Sequence, residues 1–187
     1  MADSFFGHLS DFLNSSEVLE EIVSNRFILI LLVIFLSRLK YKTYSSMFLT
    51  ALVNIPGTFL HETAHFTVGL LLNARPTSFT LVPKKSLSGG YTTGSVGFKN
   101  LRFYNALPSA MAPLLLLPVG YYFDRWLFSN YNLNVGNYIF YVLLQSIIIE
   151  NALPSSTDFR VGFGNITGIV FYGIICLIGL VAYMAVL

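Results

Sequence analysis

Between Phe48 and Leu72 the chain is almost wholly apolar, and the run is broken by His61, Glu62 and His65. An apolar stretch of this length reads as a membrane-spanning helix. Ionisable groups inside such a segment are costly, and by default they mark a functional site. Residues four apart share a helix face, so His61 and His65 of His61-Glu62-Thr63-Ala64-His65 can reach one metal ion. Glu62 lies on an adjacent face, within reach of a water at that metal.

Composition extends this reading to the whole chain. Of 187 residues, 55% are hydrophobic and 11% charged, with a mean hydropathy of +0.67. Average soluble domains carry about a quarter charged residues. The expectation is an all-α polytopic membrane protein with about five transmembrane helices, embedded as one domain over 25–187. A net charge of +2 gives no reason to expect nucleic acid as a partner. The single cysteine, Cys176, excludes an internal disulfide and reads as a small buried hydrophobe.

In chain order, residues 1–24 read as an interfacial amphipathic segment, with Glu17, Glu20 and Glu21 in the first turns of a short helix and His8 as a surface histidine. The first apolar run begins near Arg26 without a small-residue cleavage site, so it is expected to remain as a span. Spans are expected over 25–42, 44–73, 104–128, 137–153 and 164–187. The second should bend at Asn54-Ile55-Pro56-Gly57. Pro108, Pro113 and Pro118 make the third irregular. Gly168, Gly173 and Gly179 suit close helix packing in the fifth.

Residues 74–100 differ from the spans. Prolines, glycines and β-branched residues around Gly89-Gly90 suggest a β-hairpin-like loop after the motif helix. Gly89, Gly90 and Tyr91 are placed there along an extended substrate backbone, although a plain connecting loop fits equally. With a cytoplasmic N-terminus, that side holds Arg26, Arg75, Lys84, Lys85, Lys99, Arg102 and Arg160. The other side holds Arg38, Lys40, Lys42 and Arg125. The excess favours this orientation and sets His61 and His65 nearer the cytoplasm.

A catalytic zinc site usually has three protein ligands. A histidine six residues after His65 would complete a familiar soluble pattern, but Leu71 stands there. Asp124 adjoins Arg125 at the opposite interface. Glu150 and Asp158 remain. Asp158 is preferred, because it follows the Pro154-Ser155-Ser156-Thr157 break and irregular backbone at membrane depth belongs at a cavity. Glu150 then partners a histidine ring nitrogen or stays a neutral acid, and packing against Gln145 or a backbone group fits equally.

Phe59-Leu60-His61-Glu62-Thr63-Ala64-His65, followed by Asn151-Ala152-Leu153-Pro154 and then Asp158, resembles the site-2 protease family of intramembrane zinc metalloproteases. That family pairs H-E-x-x-H in one span with N-x-x-P…D-G in a later one. The resemblance implies one zinc ion held by His61, His65 and Asp158, with Glu62 as general base and Asn151 near the substrate carbonyl. Ser109-Ala110-Met111-Ala112-Pro113 sits where many members have A-G-P. Asp158 is one residue nearer the proline than is usual, Phe159 replaces a glycine, and Ala112 and Ala64 replace two more. The ordered motifs cover roughly 44–160 and describe a divergent, minimal member. The implied activity is hydrolysis of a peptide bond in or near a transmembrane segment of a membrane-protein substrate. A proteolytically inactive membrane scaffold and a small transporter are the rival readings; the retained Glu62 argues against the first, and the lack of an internal repeat against the second.

Overall fold

The computed structural model describes residues 26–41, 47–81, 84–85, 91–92, 94–131 and 134–186. The segment expected over 1–24, with His8, lies outside them, as do Lys42, Gly89 and Gly90. The described residues are mostly helical. In order they form α1 (Arg26–Tyr41), α2 (Met47–Leu71), β1 (Pro76–Thr80), β2 (Lys84–Lys85), β3 (Tyr91–Thr92), β4 (Ser95–Phe98) and α3 (Ala106–Ala110). A 3-10 turn (Ala112–Leu115), α4 (Leu116–Asn130), α5 (Val135–Ala152), α6 (Ser156–Phe163) and α7 (Ile166–Val186) follow.

Among these, only α7 is by itself long and apolar enough to cross a membrane, over Ile166–Ala185 with a hydropathy of 2.3. α5 and α6 qualify together as a pair bent by 43°. α1 has 16 residues and carries Arg38 and Lys40 in its last turn, short of the roughly 20 apolar residues of a straight span. α2 is long enough at 25 residues, and Pro56, where a bend was expected, lies inside this one continuous helix. The span expected over 104–128 is not one helix but α3, the 3-10 turn and α4. Pro108, Pro113 and Pro118 each fall in the first turn of one of these pieces. Proline lacks the amide hydrogen that a helix interior needs, but at a helix start that hydrogen has no partner anyway.

The chain gathers into two units, Met1–Thr50 with Leu117–Glu150, and Ala51–Leu116 with Asn151–Leu187. In the first, Leu127, Tyr138, Tyr141 and Val142 form a buried cluster against which Leu29, Leu32, Leu36, Phe123 and Phe128 pack. The three leucines fall at helical spacing on one stripe of α1. α4 and α5 form an antiparallel hairpin. Buried Gln145 donates Nε2–H to the Gly120 carbonyl at 2.7 Å, and further along Phe128 meets Tyr141 edge-on at 4.9 Å.

α1 and α5 point the same way. Leu29, near the start of α1, lines a cavity with Tyr141, while Lys40 at its end donates Nζ–H to Glu150 Oε2 at 2.8 Å. Five strictly alternating spans would oppose the first and fourth helices and set Lys40 and Glu150 on opposite sides of the bilayer. The ion pair puts them at one level, so that alternation does not hold for these two helices.

In the second unit, α2 ends in a Schellman motif. Asn73 adopts a left-handed φ of 56°, Ala74 N–H reaches the Gly69 carbonyl at 2.7 Å, and Asn73 N–H reaches that of Leu70 at 3.2 Å. Buried Asn105 donates to the carbonyls of Leu72 and Asn100, tying the start of α3 to this turn. β1 and β4 pair antiparallel, with an irregularity between Pro76 and Ser78, and β2 pairs with β3 inside them in sequence. The outer pair lies on the motif helix. Phe79 of β1 meets Phe59 and Phe66 edge-on at 6.3 and 5.9 Å, and Phe98 of β4 covers Gly69, where a Cβ would stand 2.3 Å from its ring.

Among the described residues, α7 is anchored near its start. Gly168 touches the Phe103 carbonyl, Tyr172 donates its hydroxyl to Tyr104, and Phe103 meets Phe171 edge-on at 5.5 Å. A Cβ on Gly173 or Gly179, both expected to serve close packing, would meet nothing within 4 Å beyond α7 itself among the described residues, and Cys176, expected to be buried, is exposed.

Candidate metal centre

α2 carries both histidines, and the helical period turns their rings toward each other, with centroids 4.8 Å apart. Each ring is fixed from behind. His61 Nδ1–H donates to the Asn151 carbonyl at 2.8 Å, and His65 Nδ1–H donates to the Ser109 carbonyl at 2.7 Å. A carbonyl only accepts, so both hydrogens sit on Nδ1 in the neutral rings and both Nε2 atoms present lone pairs. Those two Nε2 atoms lie 3.1 Å apart.

Asp158 completes the cluster. α5 stops at Ala152, Pro154 follows, and α6 starts afresh at Ser156. Its N-cap is a capping box, in which Asp158 N–H donates to Ser155 Oγ at 3.2 Å and Ser155 N–H donates to Asp158 Oδ2 at 2.6 Å. The box fixes the carboxylate in the first turn of α6. Oδ1 then lies 3.3 Å from His65 Nε2, and Oδ2 lies 3.5 Å from His61 Nε2.

These donors fit a divalent metal. Two lone pairs and a carboxylate facing one another repel unless a positive centre lies among them. Ligands held about 2.0–2.1 Å from zinc at tetrahedral angles are about 3.3 Å apart, close to the separations between these atoms. Histidine, histidine and carboxylate form one of the recurring catalytic zinc sets.

Glu62 sits beside the pair and is buried. Gly94, just before β4, lies over it, where a Cβ would stand 2.8 Å from Glu62 Oε1 and 2.4 Å from Thr58 Cγ2. Gly57, one turn before His61, does the same for Asn151, whose side-chain Nδ2 would be 2.0 Å from a Cβ there. The amide of Asn151 therefore lies flat on α2 while its carbonyl holds His61.

His61, His65 and Asp158 are brought together, with Glu62 adjacent on α2 and Asn151 behind His61. Glu150 does not take the role expected of it. The ring nitrogens pointing away from the centre are held by main-chain carbonyls, and Glu150 pairs with Lys40. Tyr91 is paired through its backbone with Lys85 in β3, while Gly89 and Gly90 fall outside the described residues. Ser109, Gly57 and Gly94 were not singled out for these contacts. Glycine beside a helix carrying charge was the only signal for two of them, and a carbonyl donor leaves no signal because every residue has one.

Comparison with protein-family models, characterised proteins and solved structures gives no match to this chain.

Proposed function

We propose that the chain is a multi-pass intramembrane zinc metalloprotease of the site-2 protease type, with His61, His65 and Asp158 as zinc ligands. The observation that carries this reading is the meeting of two Nε2 lone pairs with the Asp158 carboxylate, next to buried Glu62. When bound, zinc would lower the pKa of a water toward neutrality and polarise a carbonyl.

The chain's own groups supply the rest. Glu62 takes the proton of the attacking water and returns it to the leaving amine. The Asn151 and Ser109 carbonyls hold both imidazoles in the ligating tautomer. The Asn151 amide is the candidate donor to the developing oxyanion. A transmembrane substrate must unwind locally, because helical amides are hidden, and the β1–β4 pair on α2 offers an edge along which an extended backbone can lie. α2, α4, the α5–α6 pair and α7 form the membrane body, with α1 beside α5. Arg75, Lys84, Lys85, Lys99, Arg102 and Arg160 mark the side nearer the site as cytoplasmic.

The test is the zinc content of detergent-solubilised full-length protein, wild type beside Asp158→Ala and Glu150→Ala. About one zinc per chain, lost in Asp158→Ala and kept in Glu150→Ala, supports the ligand set. No zinc in the wild type after metal supplementation overturns it.

A further inference from the structure

Lys40 and Glu150 stand out as an ion pair among apolar helices. Their N···O distance is 2.8 Å, and the side chains are only 13% and 27% exposed. Such a pair is held because removing either partner strands the other charge away from water. Its position on α5 suggests what it holds. The last four carbonyls of a helix lack helical donors. Glu150 and Asn151 both lie in that last turn, and the spare carbonyl of Asn151 receives His61 Nδ1–H at 2.8 Å. A cation at the negative end of the helix dipole also steadies this turn.

We propose that Lys40 is a positioning residue for the metal centre, clamping Glu150 so that the final turn of α5 presents the Asn151 carbonyl to His61. The proposal rests on the reading of His61, His65 and Asp158 as ligands. It gives α1 a task in the site without contact with substrate or metal. It also gives Glu150 a role through its neighbour's backbone in place of direct contact with a ring.

The experiment measures zinc affinity of the purified full chain by competition with a chromophoric chelator. Lys40→Met, Glu150→Gln, Lys40→Arg and the exchanged pair Lys40→Glu/Glu150→Lys are compared with wild type, and His61→Ala serves as the ligand-loss control. Thermal unfolding of each metal-free sample checks that it is folded, and the visible bands of the cobalt-loaded forms report ligand geometry. Lys40→Met and Glu150→Gln should weaken zinc about 10- to 100-fold, the range for losing a group that orients a ligand. Their cobalt bands should change shape, while Lys40→Arg and the exchanged pair stay close to wild type. Zinc affinity in Lys40→Met equal to wild type overturns the proposal and leaves the ligand set standing. Equal weakening in all four variants also overturns it, since the charge pair would then not be the cause. A wild type without zinc, matching His61→Ala, removes the ligand set and this proposal together.

Discussion

His61 and His65 each use one nitrogen for a carbonyl and turn the other inward, whereas Glu62 lies beside the ligand set and outside it, so the three should respond differently to substitution. Glu62→Ala should keep about one zinc per chain and lose all cleavage of a transmembrane substrate; loss of the metal would contradict its assignment as base. Ser109 offers a subtler case. Its carbonyl holds His65, but its hydroxyl is buried without a partner among the described residues. Ser109→Ala removes an unsatisfied group worth about 1–3 kcal/mol and keeps the carbonyl. It should therefore raise the melting temperature without changing zinc content, and a lower melting temperature would show that the hydroxyl has a use. At this scale the sequence was readable where the helical period fixes geometry. Residues 61, 62 and 65 must share neighbouring faces of α2, and a proline break before Asp158 marks a new start. The sequence left the partner of Glu150 open, because the group that contacts the ring is its neighbour's backbone, and a carbonyl leaves no mark in a sequence.

The elements bring these residues together through close approaches that only glycine permits. Gly94 lies on Glu62 and Thr58, and Gly57 on Asn151. Gly57→Val should displace Asn151 from α2 and weaken zinc through His61, while Gly94→Ala should keep zinc and cut cleavage by shifting Glu62. Metal content and substrate cleavage, measured side by side, separate the two. The capping box of α6 has a double duty, since Asp158 closes the helix start and faces the histidines. Ser155→Ala should cost about 1 kcal/mol of helix stability and loosen zinc as the carboxylate gains freedom. The elements were only partly legible. α2 and α5 lie within a few residues of their expected bounds, because long apolar runs end at polar turns. In the stretch 104–128 the three prolines signalled an irregular helix, but hydropathy is blind to where a helix restarts, so the division into three pieces was not legible.

At the scale of the molecule, the shared direction of α1 and α5 is what a count of apolar runs cannot supply. Strict alternation follows from treating every run as a complete crossing, and the contact between Lys40 and Glu150 conflicts with it. In a Cys176→Ala background, Lys40→Cys with Glu150→Cys should join through a short bifunctional thiol reagent in intact membranes; two thiols on opposite faces of a bilayer would never do so. The candidate centre has a mechanical side too. Its donors come from α2 and α6, which are separated by roughly ninety residues of chain, and tying such a loop restricts the unfolded chain more than tying a short one. A captured ion would act as a buckle, adding about 2.7 kcal/mol at a hundredfold excess over its dissociation constant. With the ion stripped, α6 keeps its capping box but loses its fastening to α2. The turn at Pro154 should then open first, seen as faster amide hydrogen exchange at the start of α6 in the stripped protein than in the loaded one.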